Sequence, residues 1–506
     1  MNRSKNAVRN VFFGMINKIV VVFLPFLIRS SIIREFGADY IGLSSLFSSI
    51  LQLLSLTELG LGTAIIYSMY KPVAENDEKT ISAILRCYKK IYSVIGLIIL
   101  CIGLILIPFL PKLINGEIPN DVNLLYLYLL YLGNTTVSYF LYAYKSSLIT
   151  AYQRSDITSN INTIVHILVY SLQFAMIYVF HNYYAYTAML IVGTIINNLS
   201  VNVCVKKLFP NIRPTGRLDA ETKSIIITKT KGLFIDRLCH VSRNAFDSIF
   251  LSAFLGLIIT AKYSNYYYIM NSIIGFLIVI TSSIQAGVGN SIATESVEKN
   301  YNDILKFNFI FMWICGICVT CLACLFQPFT EMFFGKDMMF PYEIVILLCI
   351  YFFTYEMGDI CAVYSSAAGL WWESRYRLIT EAVLNILLNY ALGKLFGVFG
   401  IILATVITLF LINNIWLSIL VFKHYFKGCS LRNYNLYNAY YAIVSSVVCV
   451  VSYFACESVL KALSLASLFG RVGLCLLISN GLFFFFYHRL PVFFAASQFV
   501  KERLKK

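Results

Sequence analysis

The sequence is short of charge. Of its 506 residues only 13% are Asp, Glu, Lys or Arg, whereas 59% are apolar, and the mean hydropathy is +0.75. Soluble chains carry roughly a quarter charged residues, which excludes a water-soluble enzyme. The 5 histidines have no paired spacing, so the sequence offers no zinc site. With 10 prolines and 27 glycines it has neither collagen-like nor low-complexity character. The 14 cysteines are scattered through apolar stretches and give no disulfide framework.

Long apolar runs are abundant. A membrane-crossing helix needs ~20 such residues, and suitable runs lie near 11–33, 41–69, 91–113, 122–148, 157–180, 184–205, 233–258, 264–290, 307–330, 341–368, 378–396, 398–422, 438–460 and 468–487. The expected fold is an all-α integral membrane protein with 14 transmembrane helices. The first run exceeds twenty residues and has no small-residue cleavage site behind it, so it reads as an uncleaved span rather than a signal peptide.

Basic residues outnumber acidic ones by 40 to 25, a net charge of +15. With the N-terminus placed inside and the spans alternating, most of the 40 fall in inner loops. These include Arg3, Lys5 and Arg9, the group from Lys206 to Lys231, and the tail. Positive loops stay in the cytoplasm, so both termini are expected inside (N-in/C-in). The basic tail then serves orientation and lipid-headgroup contact, and nucleic acid is not an expected partner.

Shifting the chain by 220 residues superimposes its halves: Gly96 on Gly316, Cys101 on Cys321, Pro108-Phe109 on Pro328-Phe329, Tyr131 on Tyr351. Upstream, Gly37 meets Gly256 at an offset of 219. A six-span repeat, being even, keeps its orientation, as in transporters whose halves rock against each other. The expected organisation is two pseudo-symmetric six-helix lobes, 1–205 (spans 1–6) and 233–432 (spans 7–12), joined by a cytoplasmic linker 206–232. Accessory spans 13 and 14 (433–489) and a basic tail (490–506) follow.

Ionisable groups inside a bilayer cost ~2.5–3.5 kcal/mol on insertion scales and usually face a cavity or a partner. Span 7 is the richest, with Asp236-Arg237, His240, Arg243-Asn244 and Asp247. Asp236, His240, Arg243 and Asp247 fall on one helical face. The face reads as a lumen-lining stripe or, alternatively, as a self-paired one, with His240 a hydrogen-bonded spectator. Lys18 corresponds to Arg237 in the repeat, and Arg29 returns to nearly the face of Lys18. These cations suit an anionic, phosphorylated substrate. Glu58, Asp236, Asp247 and Asp359, with Glu356 beside the last, are candidate proton or sodium sites. Glu58 has an equal alternative as a salt-bridge partner of Arg29 or Lys18.

Cys315, Cys318, Cys321 and Cys324 resemble a metal-ligand run, but they string along ~13 Å of one helix and cannot by themselves enclose an ion. They read as packing residues, so no metal or other cofactor is expected. No nucleophile–base constellation appears either, which leaves no catalytic residues.

The segments Phe36-Gly37-Ala38-Asp39-Tyr40-Ile41-Gly42-Leu43, Asp247 through Gly256, Lys262 through Tyr267, Gly289-Asn290-Ser291 and Gly369-Leu370-Trp371 carry a resemblance. The chain resembles Wzx-type flippases, polysaccharide-biosynthesis membrane proteins of the multidrug/oligosaccharidyl-lipid/polysaccharide exporter (MOP) superfamily. The resemblance implies a bacterial cytoplasmic (inner) membrane location. It implies transfer of undecaprenyl-diphosphate-linked oligosaccharide units of O-antigen or capsule to the outer leaflet, by alternating access coupled to H+ or Na+. Membrane lipids, a polysaccharide polymerase and chain-length machinery are the implied partners. Lys18, Arg29, Arg237 and Arg243 would engage the diphosphate. A lipid II flippase and a multidrug/cation antiporter of the same superfamily are the alternatives.

Overall fold

A computed structural model describes residues 3–55, 61–218, 243, 245–460 and 462–504, and every regular element among them is a helix. By their contacts they divide into two units, Met1–Ala261 and Lys262–Lys506. The first holds α1 (Arg3–Glu35), α2 (Ala38–Leu54), α3 (Leu61–Glu75), α4 (Glu78–Leu106), α5 (Leu124–Phe140), α6 (Ser146–Ala151), α7 (Ser155–Tyr178), α8 (Tyr183–Leu208) and α9 (Ala245–Leu255). Helix α10 (Leu257–Thr294) begins in it and continues into the second unit. There follow α11 (Val297–Phe334), α12 (Tyr342–Met357), α13 (Asp359–Ala367), α14 (Arg375–Thr408), α15 (Leu417–His424), α16 (Leu431–Val459), α17 (Leu465–Tyr487) and α18 (Pro491–Leu504).

Among the described residues ten helices are long and apolar enough to cross a membrane, eleven if the bent pair Leu124–Phe140 and Ala143–Ala151 counts as one. The run expected over 41–69 is described as α2 and α3, each shorter than a span. The run over 233–258 is described continuously only from α9 onward. The runs 378–396 and 398–422 form one stretch, Trp371–His424, folded back at Gly397, whose φ is 58°. Asn385 bonds Thr405 (3.2 Å) and Thr408 (3.4 Å), and Arg377 bonds Asn413 (2.9 Å), the closing partners of an antiparallel helix pair.

Helix starts are written locally. Asp77, Asn123, Asn182, Ser296, Ser430 and Ser464 each accept a backbone N–H three residues on, capping α4, α5, α8, α11, α16 and α17. Packing then fixes direction. In the first unit α1 and α7 run parallel: Asn10 accepts from the Asp156 N–H (2.8 Å), Asn17 donates to Thr163 (3.1 Å), and Tyr178 donates to Ser31 (2.8 Å), all at a separation of 146 or 147 residues. Helices α5 and α8 are parallel as well, with Thr194 donating to Asn134 (2.7 Å). Gly96 and Gly103 let α5 approach α4 closely, since a Cβ on either would lie 2.6 Å or less from Tyr139 or Leu132. In the second unit α11 and α16 run parallel through Asn308–Asn438 (2.7 Å). Helix α17 packs between them, with Phe483 against Gly316.

The duplication is visible in these contacts. Asn414 donates to the Thr354 carbonyl (2.8 Å) at the positions 220 residues after Thr194 and Asn134, again with 60 residues between partners. The turns repeat too: Gly37 and Gly256 have φ 111° and 88°, and Gly116 and Gly335 have φ 96° and 93°. Glycine populates that region without the Cβ penalty, which explains why these residues match between halves. The contact boundary at 261 lies later than the segment 206–232. Helix α9 and the start of α10 pack with the first unit, through Asn115 N–H to Ser252 O (3.0 Å), Ser252 Oγ to Leu113 O (2.7 Å), and Gly42 against the Leu257 backbone.

The entry of α1 and α7 is tied by Asp156, which is buried and bonded to Arg9 (2.8 Å) and Arg154 (3.1 Å). Both arginines are about a third exposed, so solvent screens part of the gain. Asp156→Ala is expected to cost about 1–2 kcal/mol. The measurement is thermal unfolding of the detergent-solubilised protein, where an unchanged midpoint would refute the assignment.

Candidate functional site

Helix α1 carries Lys18 and Arg29, both half-buried. Eleven residues of helix separate them by about 16 Å, so they do not form one binding point. Arg29 has the better defined surroundings. Its charge acts on the hydroxyls of Tyr131 on α5 and of Tyr183 and Tyr186 on α8. Tyr131 Oη lies 3.3 Å from Tyr183 Oη, and Tyr183 donates to the Tyr40 carbonyl (3.1 Å). The rings pack in sequence, with Tyr40–Tyr183 centroids 4.6 Å apart and Tyr183–Tyr186 5.3 Å. Tyr40 itself donates to Asp121. The Arg29 charge is thus within electrostatic reach of a tyrosine cluster whose hydroxyls are engaged with one another, with the Tyr40 carbonyl and with Asp121.

Arg243 and Asp247 lie one turn apart, 3% and 0% exposed, in the same unit as Lys18 and Arg29. Asp236, Arg237 and His240, which complete the expected stripe, lie outside the described residues, as does Glu58.

Asp359 opens α13 in the second unit, three residues after Glu356. Glu356 is fully buried, and neither carboxyl oxygen has a hydrogen-bond partner among the described residues. Its electrostatic neighbours are Asp359, Cys315 and Cys318. Nearby, Gly358 packs against Asn413 and Asn414, which sit in a π-helical stretch, Leu409–Trp416. Such wide turns occur mostly at functional positions because they expose backbone groups. The same unit holds a cavity of about 840 Å³ between α11, α12, the π-helical stretch and α16. Ile346, Phe353, Phe410 and Phe454 line it, with Asn414 and Asn438 as polar points.

Three cations counted as loop or helix-end charges in the sequence are in fact buried. Lys145, in the 3-10 turn before α6, donates to Asn202 and lies over the Tyr142 ring at 5.2 Å. Arg377 pairs with Glu381 (3.5 Å) and Asn413. Arg471 pairs with Glu457 (2.7 Å) and donates to the carbonyls of Cys324 (3.3 Å) and Leu460 (2.7 Å). Each sits within a few residues of the end of an apolar run, where sequence does not separate a loop from a helix end. The residues that escaped sequence reading are Tyr131, Tyr183 and Tyr186 near Arg29. Their signal was the clustering of tyrosine across α5 and α8.

No protein-family model and no curated protein matches the chain. Solved structures do. A lipid II flippase, MurJ, in an inward closed conformation superimposes with a TM-score of 0.66 at 15% identity, over 95% of this chain and 99% of its own. An inward-facing MATE-family multidrug resistance transporter of the MOP superfamily gives 0.63 at 15%, over 81% and 98%. A MOP superfamily transporter from Pyrococcus furiosus, described as having a binding pocket of reverse polarity that suggests a different function, gives 0.58 at 13%, over 83% and 97%. The chain therefore has the fold of MOP superfamily transporters.

The Arg377–Glu381 pair is buried on both sides. Arg377→Met alone is expected to destabilise by about 3 kcal/mol by breaking the buried pair, and adding Glu381→Leu to recover most of it. Thermal unfolding of the two variants reads this. If the double variant is no more stable than the single, Glu381 is held by other groups.

Proposed function

We propose that this chain is a flippase. It carries undecaprenyl-diphosphate-linked oligosaccharide units from the inner to the outer leaflet of a bacterial cytoplasmic membrane, for O-antigen or capsule assembly. The observation that carries the reading is Arg29 among Tyr131, Tyr183 and Tyr186 within an apolar bundle. A cation in that setting has a use if an anionic head group passes it. Lys18, Arg243 and, by the repeat, Arg237 would add to the same anion path. The 840 Å³ apolar cavity of the second unit is compatible with part of a polyprenyl chain. Fourteen spans in two six-helix lobes, with both termini inside, give the alternating-access frame. Parallel packing of α1 with α7 and of α5 with α8 is what strictly alternating spans require.

The substrate must be released as well as held, so the two states have to differ in affinity. Coupling to H+ or Na+ would supply the difference. Glu356 with Asp359 is the best-supported coupling site, since a buried ionised carboxyl without a partner demands a compensating proton or cation. A multidrug/cation antiporter is disfavoured by the buried cations. A lipid II flippase shares carrier and fold, and substrate competition separates the two.

The test is flipping of an undecaprenyl-diphosphate-linked sugar in proteoliposomes. Wild-type protein is expected to flip it, with Arg29→Ala and Arg243→Ala at least tenfold slower. Gradient-driven export of an organic cation without lipid flipping would overturn the reading. Combining Arg243→Ala with Asp247→Ala is expected to leave flipping slow, whereas recovery would make the two an internal salt bridge and remove them from the site. Glu356→Gln is expected to retain basal flipping and to abolish its acceleration by an imposed ion gradient. Equal acceleration in wild type and variant would place the coupling elsewhere.

A further inference from the structure

Four thiols on one helix cannot enclose an ion, yet the fold adds thiols from two other helices. Cys324 on α11, Cys456 on α16 and Cys475 on α17 are all buried, and their sulfurs lie within 4.8 Å of one another. Cys456 Sγ and Cys475 Sγ are 3.8 Å apart. Cys321, one turn before Cys324, packs against the three. Helix α11 and the consecutive pair α16 and α17 thus each direct sulfur to one point.

We propose that Cys324, Cys456 and Cys475, with Cys321 as fourth ligand, form a site for a thiophilic d10 metal ion, Zn(II) or Cu(I). The distances are those of a thiolate cage. Sulfurs at the usual ~2.3 Å from zinc in a tetrahedron are about 3.8 Å apart, the separation already present between Cys456 and Cys475. Among Cys324, Cys456 and Cys475 the widest edge is at most 4.8 Å and closes with a shift of about 1 Å, and Cys321 turns in from the preceding helical turn to complete the set. The donor set is all sulfur, which selects soft cations over Mg2+, Ca2+ or Na+.

Binding exchanges one metal ion for the thiol protons: each S–H bond breaks, a sulfur–metal bond forms, the protons leave to solvent, and no redox change is involved. Arg471, one turn before Cys475 and paired with Glu457, donates to the Cys324 carbonyl and so holds the backbone next to the cluster. With sulfur on every side and no position for water, the site is structural. It would fasten α16 and α17, the two helices outside the internal repeat, to α11.

The experiment is metal analysis of the full chain purified in detergent under reducing conditions, after a wash with a mild chelator. Wild type loaded with Zn(II) or Cu(I) is expected to retain about one equivalent and to unfold at a higher temperature than the stripped protein. The Cys456→Ser/Cys475→Ser variant should retain less than a tenth of that. Should the variant not fold, Co(II) added to wild type reads the site directly, through a thiolate-to-metal charge-transfer band and a sulfur-dominated X-ray absorption shell. Retention no greater in wild type than in the variant would overturn the proposal, as would a nitrogen/oxygen shell or a Cys456–Cys475 disulfide found by mass spectrometry in protein isolated without reductant.

Discussion

Hydrocarbon offers no hydrogen bonds. Every backbone amide of a span must therefore be satisfied within its own helix, and every polar side chain by a neighbour. From this constraint follow the all-helical architecture of the described residues, the polar caps at helix starts, and the back-bonding of serines and threonines such as Thr136, Thr187, Thr260 and Thr320 to carbonyls one turn earlier. The same constraint makes helix contacts depend on close approach. Gly42, Gly96, Gly193 and Gly316 lie where a methyl group would collide with a neighbouring helix. Small residues are what bring helices together when no hydrophobic drive exists between them.

Long helices were legible in the sequence because lipid enforces long apolar runs, and the match of Gly37 with Gly256 because a positive-φ turn leaves little choice of residue. Lys145, Arg377 and Arg471 were not legible as buried groups. Hydropathy averages over about twenty residues, and a cation at a span's end looks the same whether it reaches water or turns inward to Asn202, Glu381 or Glu457. The tyrosine cage of Arg29 was hidden for another reason: it assembles from α2, α5 and α8, and no local spacing records it. The cysteine cluster is the same case, since each thiol looks like a small packing residue until three helices are superposed.

Satisfied and unsatisfied groups have different meanings here. Asp156 is bound by two arginines, and its own backbone N–H donates to Asn10 Oδ1, which makes it a fastening. Arg471, held by Glu457 and two carbonyls, is another. Such groups offset their own desolvation and need no substrate to account for them. A buried carboxyl that accepts no hydrogen bond among the described residues, as in Glu356, is a cost that packing alone does not explain.

The duplication allows that cost to be judged against an internal control. Glu356 occupies the position that Thr136 occupies in the first half, in helices whose neighbouring contact, Asn134–Thr194 against Thr354–Asn414, is kept at the same spacing. Thr136 satisfies itself by donating to the Leu132 carbonyl at 2.9 Å. The scaffold at this point is thus content with a hydroxyl, and a carboxyl is no requirement of packing. Likewise Arg29 stands, by the 219 offset, where the second half has Ser248. Each half thus departs from its copy by an ionisable group at a place where the other uses a small hydroxyl: a cation in the first, an acid in the second. A small hydroxyl therefore suffices for packing at both positions, and the ionisable group at each is an addition that the helix frame does not itself require.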